Sequence, residues 1–228
     1  MAKKEIIVAL TGNPNSGKTT VFNNLTGAKQ HVGNWPGVTV EKKEGSLNYG
    51  GYDIRVVDLP GVYSLTAYSL DEVIARNFVV DEKPDVVVDI VDASNLERNL
   101  YLAVQILEMG APLVIALNMM DMAESRSYKI DVDALAREIG APVVPMVANR
   151  KQGTEGLLKE TIRVAENKTN FATARIEYGR EVEEELTKLE KVIANNPLSQ
   201  KYSPRWLAVK LLEEDEEIIK KFEEVEVG

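Results

Sequence analysis

Residues 12–19 of the chain, Gly-Asn-Pro-Asn-Ser-Gly-Lys-Thr, have the types and spacing to hold a phosphate. They match the pattern of two glycines, a lysine and a hydroxyl residue known as the P-loop. Gly12 and Gly17 let the backbone curl so that several N–H groups point inward at phosphate oxygens. A helix beginning at Gly17 adds its positive end. Lys18 can reach the outer phosphates as a point charge, and Thr19 can place its hydroxyl on Mg²⁺, a hard cation that prefers oxygen. Asn13, Pro14, Asn15, Ser16 and Thr20 complete the loop and the turn that leaves it.

Three later segments carry complementary chemistry. Asp58-Leu-Pro-Gly61 closes an extended run. Asp58 there can hold a Mg²⁺-bound water, and the Gly61 N–H can sense a γ-phosphate and order the segment after it. Asn118-Met-Met-Asp121 follows the apolar run Pro-Leu-Val-Ile-Ala-Leu. It resembles the Asn-Lys-x-Asp motif that reads guanine. A carboxylate at Asp121 can accept from both the N1–H and the N2 amine of guanine, donors that adenine lacks on that edge. Asn118 is expected to brace its loop against the phosphate loop. Met119 stands where lysine is usual, so its alkyl part can cover one base face but the charge is lost. In Met146–Gly153, Ala148 matches the Ser-Ala-Lys loop of such sites and Val147 replaces the serine; the Ala148 N–H is a candidate partner for the guanine O6.

The elements needed to position these groups can be read from periodicity. Ile6–Thr11, Val86–Val91, Leu113–Asn118 and Val143–Val147 are short apolar runs expected as buried strands. Two more extended runs flank Gly50-Gly51, a hairpin signal. Helical patterns cover Gly17–Leu25, Leu96–Met109, Val132–Ile139 and Thr154–Glu166. Strands alternating with helices imply an α/β fold around a mostly parallel sheet, here of six strands with one antiparallel edge. After Lys168 strand signals vanish: residues 169–228 hold 9 Lys/Arg against 14 Asp/Glu. Val182, Leu186, Leu189 and Ile193 share a helical face, and Ser203-Pro204 reads as a capping serine before a first-turn proline. Trp206, Leu207, Leu211 and Leu212 supply apolar surface to that helix, and Ile218, Ile219 and Phe222 mark a last one. The expected organisation is therefore a nucleotide domain over 1–168 and a small all-helical subdomain over 169–228, too small to be robust unless packed on the first.

Composition narrows the function classes. The 228 residues carry a net charge of −9, which disfavours broad binding to nucleic acid. There is no cysteine and a single histidine, His31, so thiolate and multi-histidine metal sites are excluded. No apolar run approaches the roughly 20 residues that cross a bilayer, and no secretory leader opens the chain, so it reads as soluble.

Phosphate loop, Asp-Leu-Pro-Gly and Asn-Met-Met-Asp in that order resemble a Ras-like P-loop GTPase. The stretch His31–Gly45, HVGNWPGVTVEKKEG, sharpens this. With GNPNSGKTT, DLPGVYSL, ARNF and the late SPRWLAVKLLE, the whole chain is similar to the cytosolic N-terminal region of the ferrous iron transport protein B family. That resemblance implies GTP and GDP as ligands, Mg²⁺ and K⁺ as cofactors, and hydrolysis of GTP with slow turnover. It implies that Thr39 ligates Mg²⁺ in the GTP state beside Thr19 and water-linked Asp58. It implies that Asn15 helps to hold a K⁺ completed by the backbone carbonyls of Gly33 and Trp35. The loop around Thr39 becomes a first switch, and Gly61 to about Asn77 a second. Lys18, Asn15, Thr39 and Gly61 are the residues expected to act on the reacting phosphate.

Val62 occupies the place of the water-positioning glutamine of Ras-type enzymes, so the water must be held by backbone or another side chain; Tyr63 and Ser64 are nearby. His31 is read as a surface residue, and Trp35 as both a packing ring and a carbonyl donor. The family implies a transmembrane iron-permease domain as partner, on the cytoplasmic face of the membrane, a helical subdomain that couples nucleotide state to that part and slows nucleotide release, and a possible homo-oligomer. Two other readings stay open: a ribosome- or tRNA-associated GTPase, disfavoured by the acidic tail, and a nucleotide-binding module with negligible hydrolysis.

Overall fold

The structure is a computed structural model that describes residues 4–66, 68–167 and 176–227. A central sheet carries the phosphate and base loops at one end. Its strands are β1 (Lys4–Gly12), β2 (Gln30–Asn34), β3 (Glu41–Tyr49), β4 (Tyr52–Asp58), β5 (Val86–Asp92), β6 (Leu113–Asn118) and β7 (Val143–Pro145). They lie in the order β2-β3-β4-β1-β5-β6-β7. Pairings from β4 to β7 are parallel, while β2 with β3 and β3 with β4 are antiparallel. Gly50 and Gly51 adopt φ of 58° and 87°, the left-handed pair that a two-residue hairpin turn requires.

The sheet has seven strands rather than the six expected. The extra one is β2, whose QHVGN sequence has no apolar alternation and is exposed at four of five positions. Tertiary context recruits it: it extends the edge of an existing hairpin and buries almost nothing of its own. The strand expected over Val143–Val147 ends at Pro145, where the chain turns, and Val147 instead bridges Gln152.

Helices α1 (Lys18–Thr26), α2 (Leu70–Asn77), α3 (Leu96–Glu108), α4 (Met120–Ser125), α5 (Val132–Ile139) and α6 (Thr154–Glu166) surround the sheet. A π-helical turn, Phe78–Glu82, continues α2. Alternation along β5 splits the core: Val86, Val88 and Ile90 join Phe22, Leu157 and Met146 on one face, while Val87 and Val91 join Leu102, Ile106 and Phe78 on the other. Leucine, isoleucine and valine buried on both faces explain why these strands are continuous apolar runs.

A third cluster lies among α7 (Arg180–Ile193), α8 (Pro204–Leu212) and α9 (Glu216–Val227), centred on Leu186, Ile193, Trp206, Leu207 and Ile218. Val182, expected on the inner face of α7, is 40% exposed. Pro204 opens α8 as its first residue, but the Ser203 side chain makes no capping hydrogen bond. The division expected at Lys168/Thr169 lies outside the described residues. Among the described residues no helix is long and apolar enough to cross a membrane.

Candidate nucleotide site

The phosphate loop runs from the end of β1 into α1. Gly12 has φ 153° and Gly17 φ 93°, and between them Asn15 also takes a left-handed φ of 68°. Such a loop turns successive N–H groups into one concavity. The two glycines are also required by space. A Cβ on Gly12 would lie 2.7 Å from the Ile90 carbonyl oxygen, and one on Gly17 would lie 2.3 Å from Asn118 Nδ2. Asn13 and Ser16 are buried, and Asn13 Oδ1, Asn13 Nδ2 and Ser16 Oγ have no hydrogen-bond partner. Orphaned polar atoms at the base of a loop are what a bound polyanion and its water would satisfy. Pro14, Thr19 and Thr20 are exposed.

Lys18 and Asp58 form an ion pair within this cleft, at side-chain exposures of 13% and 9%. Burial pushes the Asp58 carboxyl up from its ordinary range, and the Lys18 ammonium opposes that push. The pair brings the end of β4 against the phosphate loop, as do the hydrogen bonds Leu59 N–H to Leu10 O (2.9 Å) and Val62 N–H to Gly12 O (3.3 Å). Gly61 thereby lies over the loop: a Cβ there would be 3.7 Å from both the Gly12 carbonyl oxygen and the Pro14 backbone.

Asn118 joins the phosphate and base halves. Its Nδ2 donates to Ser16 O at 2.9 Å, and its Oδ1 accepts from Ala148 N–H at 2.9 Å, with the side chain 3% exposed. The expected brace is therefore present, and the Ala148 N–H, a candidate for guanine O6, is taken here by Asn118. Asn24 on α1 holds the Ala148 carbonyl at 2.8 Å. Val147 and Gln152 exchange two hydrogen bonds of 3.2 Å, which closes the last loop. Met119 has φ 62° and starts α4, and its methyl group lies beside Gly17. Asp121 Oδ1 accepts from Met122 N–H at 3.0 Å, and Oδ2 lies 3.7 Å from Arg150 Nη2.

The switch residues are placed differently. Thr39 is exposed between β2 and β3. Gly33 lies within the β2–β3 ladder, opposite Lys42. Trp35 is 8% exposed, with its ring edge-on to Phe78 at 5.6 Å and under the Lys42 ammonium at 4.8 Å. Its carbonyl accepts from Val38 N–H at 3.3 Å. Trp35 thus packs the loop against the body and leaves carbonyl oxygen for a second interaction. His31 is exposed.

Val62 is buried, 3% exposed. Tyr63 is covered by the Arg98 guanidinium at 4.2 Å, and the Ser64 hydroxyl donates to Glu72 at 2.8 Å. Sequence reasoning missed this network around Glu72, although its signal was present. Ser69-Leu-Asp-Glu72 is a capping-box pattern, and both of its hydrogen bonds form at the start of α2. It also missed Arg76, which is 1% exposed on α2 and bonded to Asp215 at 2.8 Å and Glu217 at 2.6 Å. Only the folded chain brings those three together.

Comparison with known proteins assigns the family. A family model described as ferrous iron transport protein B matches residues 6–161, and one for the FeoB cytosolic helical domain matches residues 178–227. The Fe(2+) transporter FeoB of Shigella flexneri is 46% identical over 217 residues, 93% of this chain and 27% of that protein. The chain thus spans about a quarter of the length of such relatives. The cytosolic domain of the T. maritima FeoB iron transporter matches in its GDP form I with a TM-score of 0.91 at 40% identity, covering 99% of this chain and 87% of that one. Its GMPPNP form matches with a TM-score of 0.90 at the same identity, covering 96% and 86%. The FeoB G-domain from Methanococcus jannaschii is 54% identical over 71% of this chain and 97% of that one, with a TM-score of 0.63. With its Ras-like nucleotide fold followed by a helical unit, the chain belongs to the ferrous iron transport protein B family.

Proposed function

We propose that this chain binds GTP and GDP between the phosphate loop and the Asn118–Asp121 loop, hydrolyses GTP slowly to GDP and phosphate, and by its nucleotide state regulates Fe²⁺ passage through a membrane part outside this chain. The observation that carries the reading is the double hydrogen bond of Asn118 to Ser16 and Ala148, which makes one cleft of the phosphate and base loops. The domain assignment goes with it: residues 1–168 hold the nucleotide, and residues 169–228 couple its state to the membrane part and slow its release.

The residues divide the work. Backbone N–H groups of Asn15, Gly17 and Lys18 bind the phosphate oxygens, Pro14 having none to offer and that of Ser16 being held by the Asn13 carbonyl at 3.1 Å, and Lys18 leaves Asp58 to neutralise the outer phosphates. Thr19 and Thr39 supply hard oxygen donors that suit Mg²⁺, with Asp58 acting through a water on the ion, which would screen the phosphate charge. The Asn15 side chain and the Gly33 and Trp35 carbonyls are oxygen donors of the type K⁺ takes, and a cation held by them would offset charge that develops on the phosphates, as an arginine finger does. Asp121 accepts from guanine, Met119 covers a base face, and Val147 and Ala148 close the base edge. The Gly61 N–H senses the γ-phosphate. With Val62 buried, Tyr63 under Arg98 and Ser64 on Glu72, the attacking water is left to backbone groups, which accounts for slow turnover.

Calorimetric titration with GDP, GTP and ATP in Mg²⁺ tests the nucleotide class. Guanine nucleotides should bind and ATP should not; equal binding of ATP refutes the reading. Turnover should be faster in KCl than in NaCl, and Asn15→Ala should remove that difference. The burial of Val62 favours one second reading, a binding module that barely hydrolyses. Absence of phosphate release over hours of single turnover in KCl would select it.

A further inference from the structure

Residue 119 poses a charge problem that the last loop answers. Where guanine-reading sites usually carry lysine, this chain has Met119, so the base loop lacks its own cation next to Asp121. The loop over residues 147–152 supplies one. It is short and rigid: Val147 and Gln152 pair in both directions at 3.2 Å, Ala148–Arg150 form a 3-10 turn, and Lys151 takes a left-handed φ of 57°. Gly153 fixes its exit, since a Cβ there would lie 2.5 Å from the Pro145 carbonyl. Asn118 anchors the same loop through Ala148. This construction brings Arg150 Nη2 to 3.7 Å from Asp121 Oδ2, while Oδ1 is held by the Met122 N–H.

We infer that Arg150 is a positioning residue for guanine recognition: its guanidinium replaces the missing lysine charge and holds the Asp121 carboxylate toward the base. The inference rests on the guanine-nucleotide reading above. Arginine suits the task because it is always charged: at 3.7 Å it attracts Oδ2 as an ion pair, without a hydrogen bond that would compete with the base for that oxygen. Asp121 is 25% exposed and Arg150 63% exposed, so the pair lies at the rim of the site and is screened by salt. An exposed pair of this kind contributes up to about 1 kcal/mol, which is about fivefold in affinity.

The test is the affinity and release rate of mant-GDP, a fluorescent GDP derivative, with the whole chain at 50 mM and 500 mM salt. Arg150→Ala should weaken binding about three- to fivefold at low salt and less at high salt, through faster release. Lys159→Ala, which removes an exposed charge on α6, is the control and should change nothing. Arg150→Lys should restore part of the loss. Met119→Lys placed on Arg150→Ala should restore most of it, because it returns the charge from the other loop. In an Asp121→Asn background assayed with xanthosine diphosphate, Arg150→Ala should have little effect. The inference is overturned if Arg150→Ala binds like the parent, if Met119→Lys fails to compensate, or if the loss persists unchanged in the Asp121→Asn background. Persistence would mean that the guanidinium acts on the nucleotide directly. If the parent chain does not bind mant-GDP at all, the guanine reading itself falls. That result is distinct from a parent that binds and an Arg150→Ala variant that binds equally.

Discussion

Asp89→Asn should stabilise the protein at neutral pH and leave it unchanged near pH 5. Asp89 lies in the middle of β5, opposite Thr11 on β1 and Ile115 on β6, and is 1% exposed. On its face of the sheet Val87 and Val91 belong to the apolar core, and Asp89 Oδ2 has no hydrogen-bond partner. Burial alone pushes its carboxyl up to about 8 from an ordinary 3.8. Between about pH 4 and pH 8 the folded chain therefore keeps a proton that the unfolded chain has released, so stability falls as pH rises through that window. Each unit above the ordinary value costs about 1.4 kcal/mol, which makes about 4 kcal/mol at pH 7. Asparagine has the same shape without the proton. It adds a second N–H to a buried place, at a cost of about 1–2 kcal/mol. One of its N–H groups has an acceptor of the right chemistry next to it, since Thr11 Oγ1 is also unpartnered.

The net expectation for Asp89→Asn is a gain of about 2–3 kcal/mol at pH 7 and about zero at pH 5. Urea unfolding midpoints of both proteins, without nucleotide, at pH 5, 7 and 8.5 measure this. Every other titrating group is common to the pair, so the difference isolates residue 89. Parallel pH profiles, or a variant less stable than the parent at pH 7, would show that Asp89 is ionised and stabilised by a partner in the folded chain.

Gly17→Ala should abolish nucleotide binding and lower stability by about 2–4 kcal/mol, since it forces a left-handed alanine against Asn118 Nδ2 and costs its bond to Ser16; calorimetry and thermal melts check both. Lys18→Ala should remove nucleotide binding and also destabilise the empty protein by about 2 kcal/mol, because Asp58 loses its counter-charge. Adding Asp58→Asn should recover the melting temperature without recovering binding. Arg76→Ala leaves the Asp215 carboxylate buried without its counter-charge, and should cost about 3–5 kcal/mol in urea unfolding, more than any substitution among the exposed pairs of α6.

Much of the nucleotide site can be read from the chain because its chemistry is local. Gly12, Gly17, Lys18 and Thr19 fall within eight residues, and a strand-to-helix turn places them without help from distant segments. Asp58 and Asn118 could be found because each ends an apolar strand, and parallel strands bring such ends to one edge of the sheet. What escaped was decided by partners far along the chain. Strand β2 has no period of its own and exists because β3 offers an edge. Arg76 looks like an ordinary cation on an amphipathic helix until Asp215 and Glu217, 139 and 141 residues away, close over it. Arg150 faces Asp121 only because Gln152 folds back on Val147. At Ser203 the local signal placed the helix start correctly, with Ser203 at the N-cap position and Pro204 first in the helix, but the side chain makes no capping hydrogen bond.

The same distinction between local and distant ties governs how a displacement at Gly61 can spread. Past Gly61 the chain is held by Leu65 N–H on Gln105 Oε1 at 2.7 Å, by the Ser64 hydroxyl on Glu72, and by the capping box of α2. Within that box the Ser69 N–H donates to Glu72 Oε2 at 3.2 Å, and the Tyr68 N–H joins it at 2.9 Å. The bonds of Tyr68 and Ser69 are exposed and exchange readily with water, so they yield first, at about 1 kcal/mol each. Arg76 lies one to two turns further along α2, buried, and releasing it from Asp215 leaves a buried carboxylate without its counter-charge while Glu217 still holds the guanidinium, a cost of several kcal/mol. A push from the phosphate side that exceeds what the 61–69 loop absorbs should therefore move α2 and the α8–α9 corner together before it separates them. The helical unit then follows α2 through the Arg76–Asp215 pair and through Val80 and Met109, which pack on its apolar core, so Arg76→Ala should weaken the coupling of the two without touching the phosphate loop.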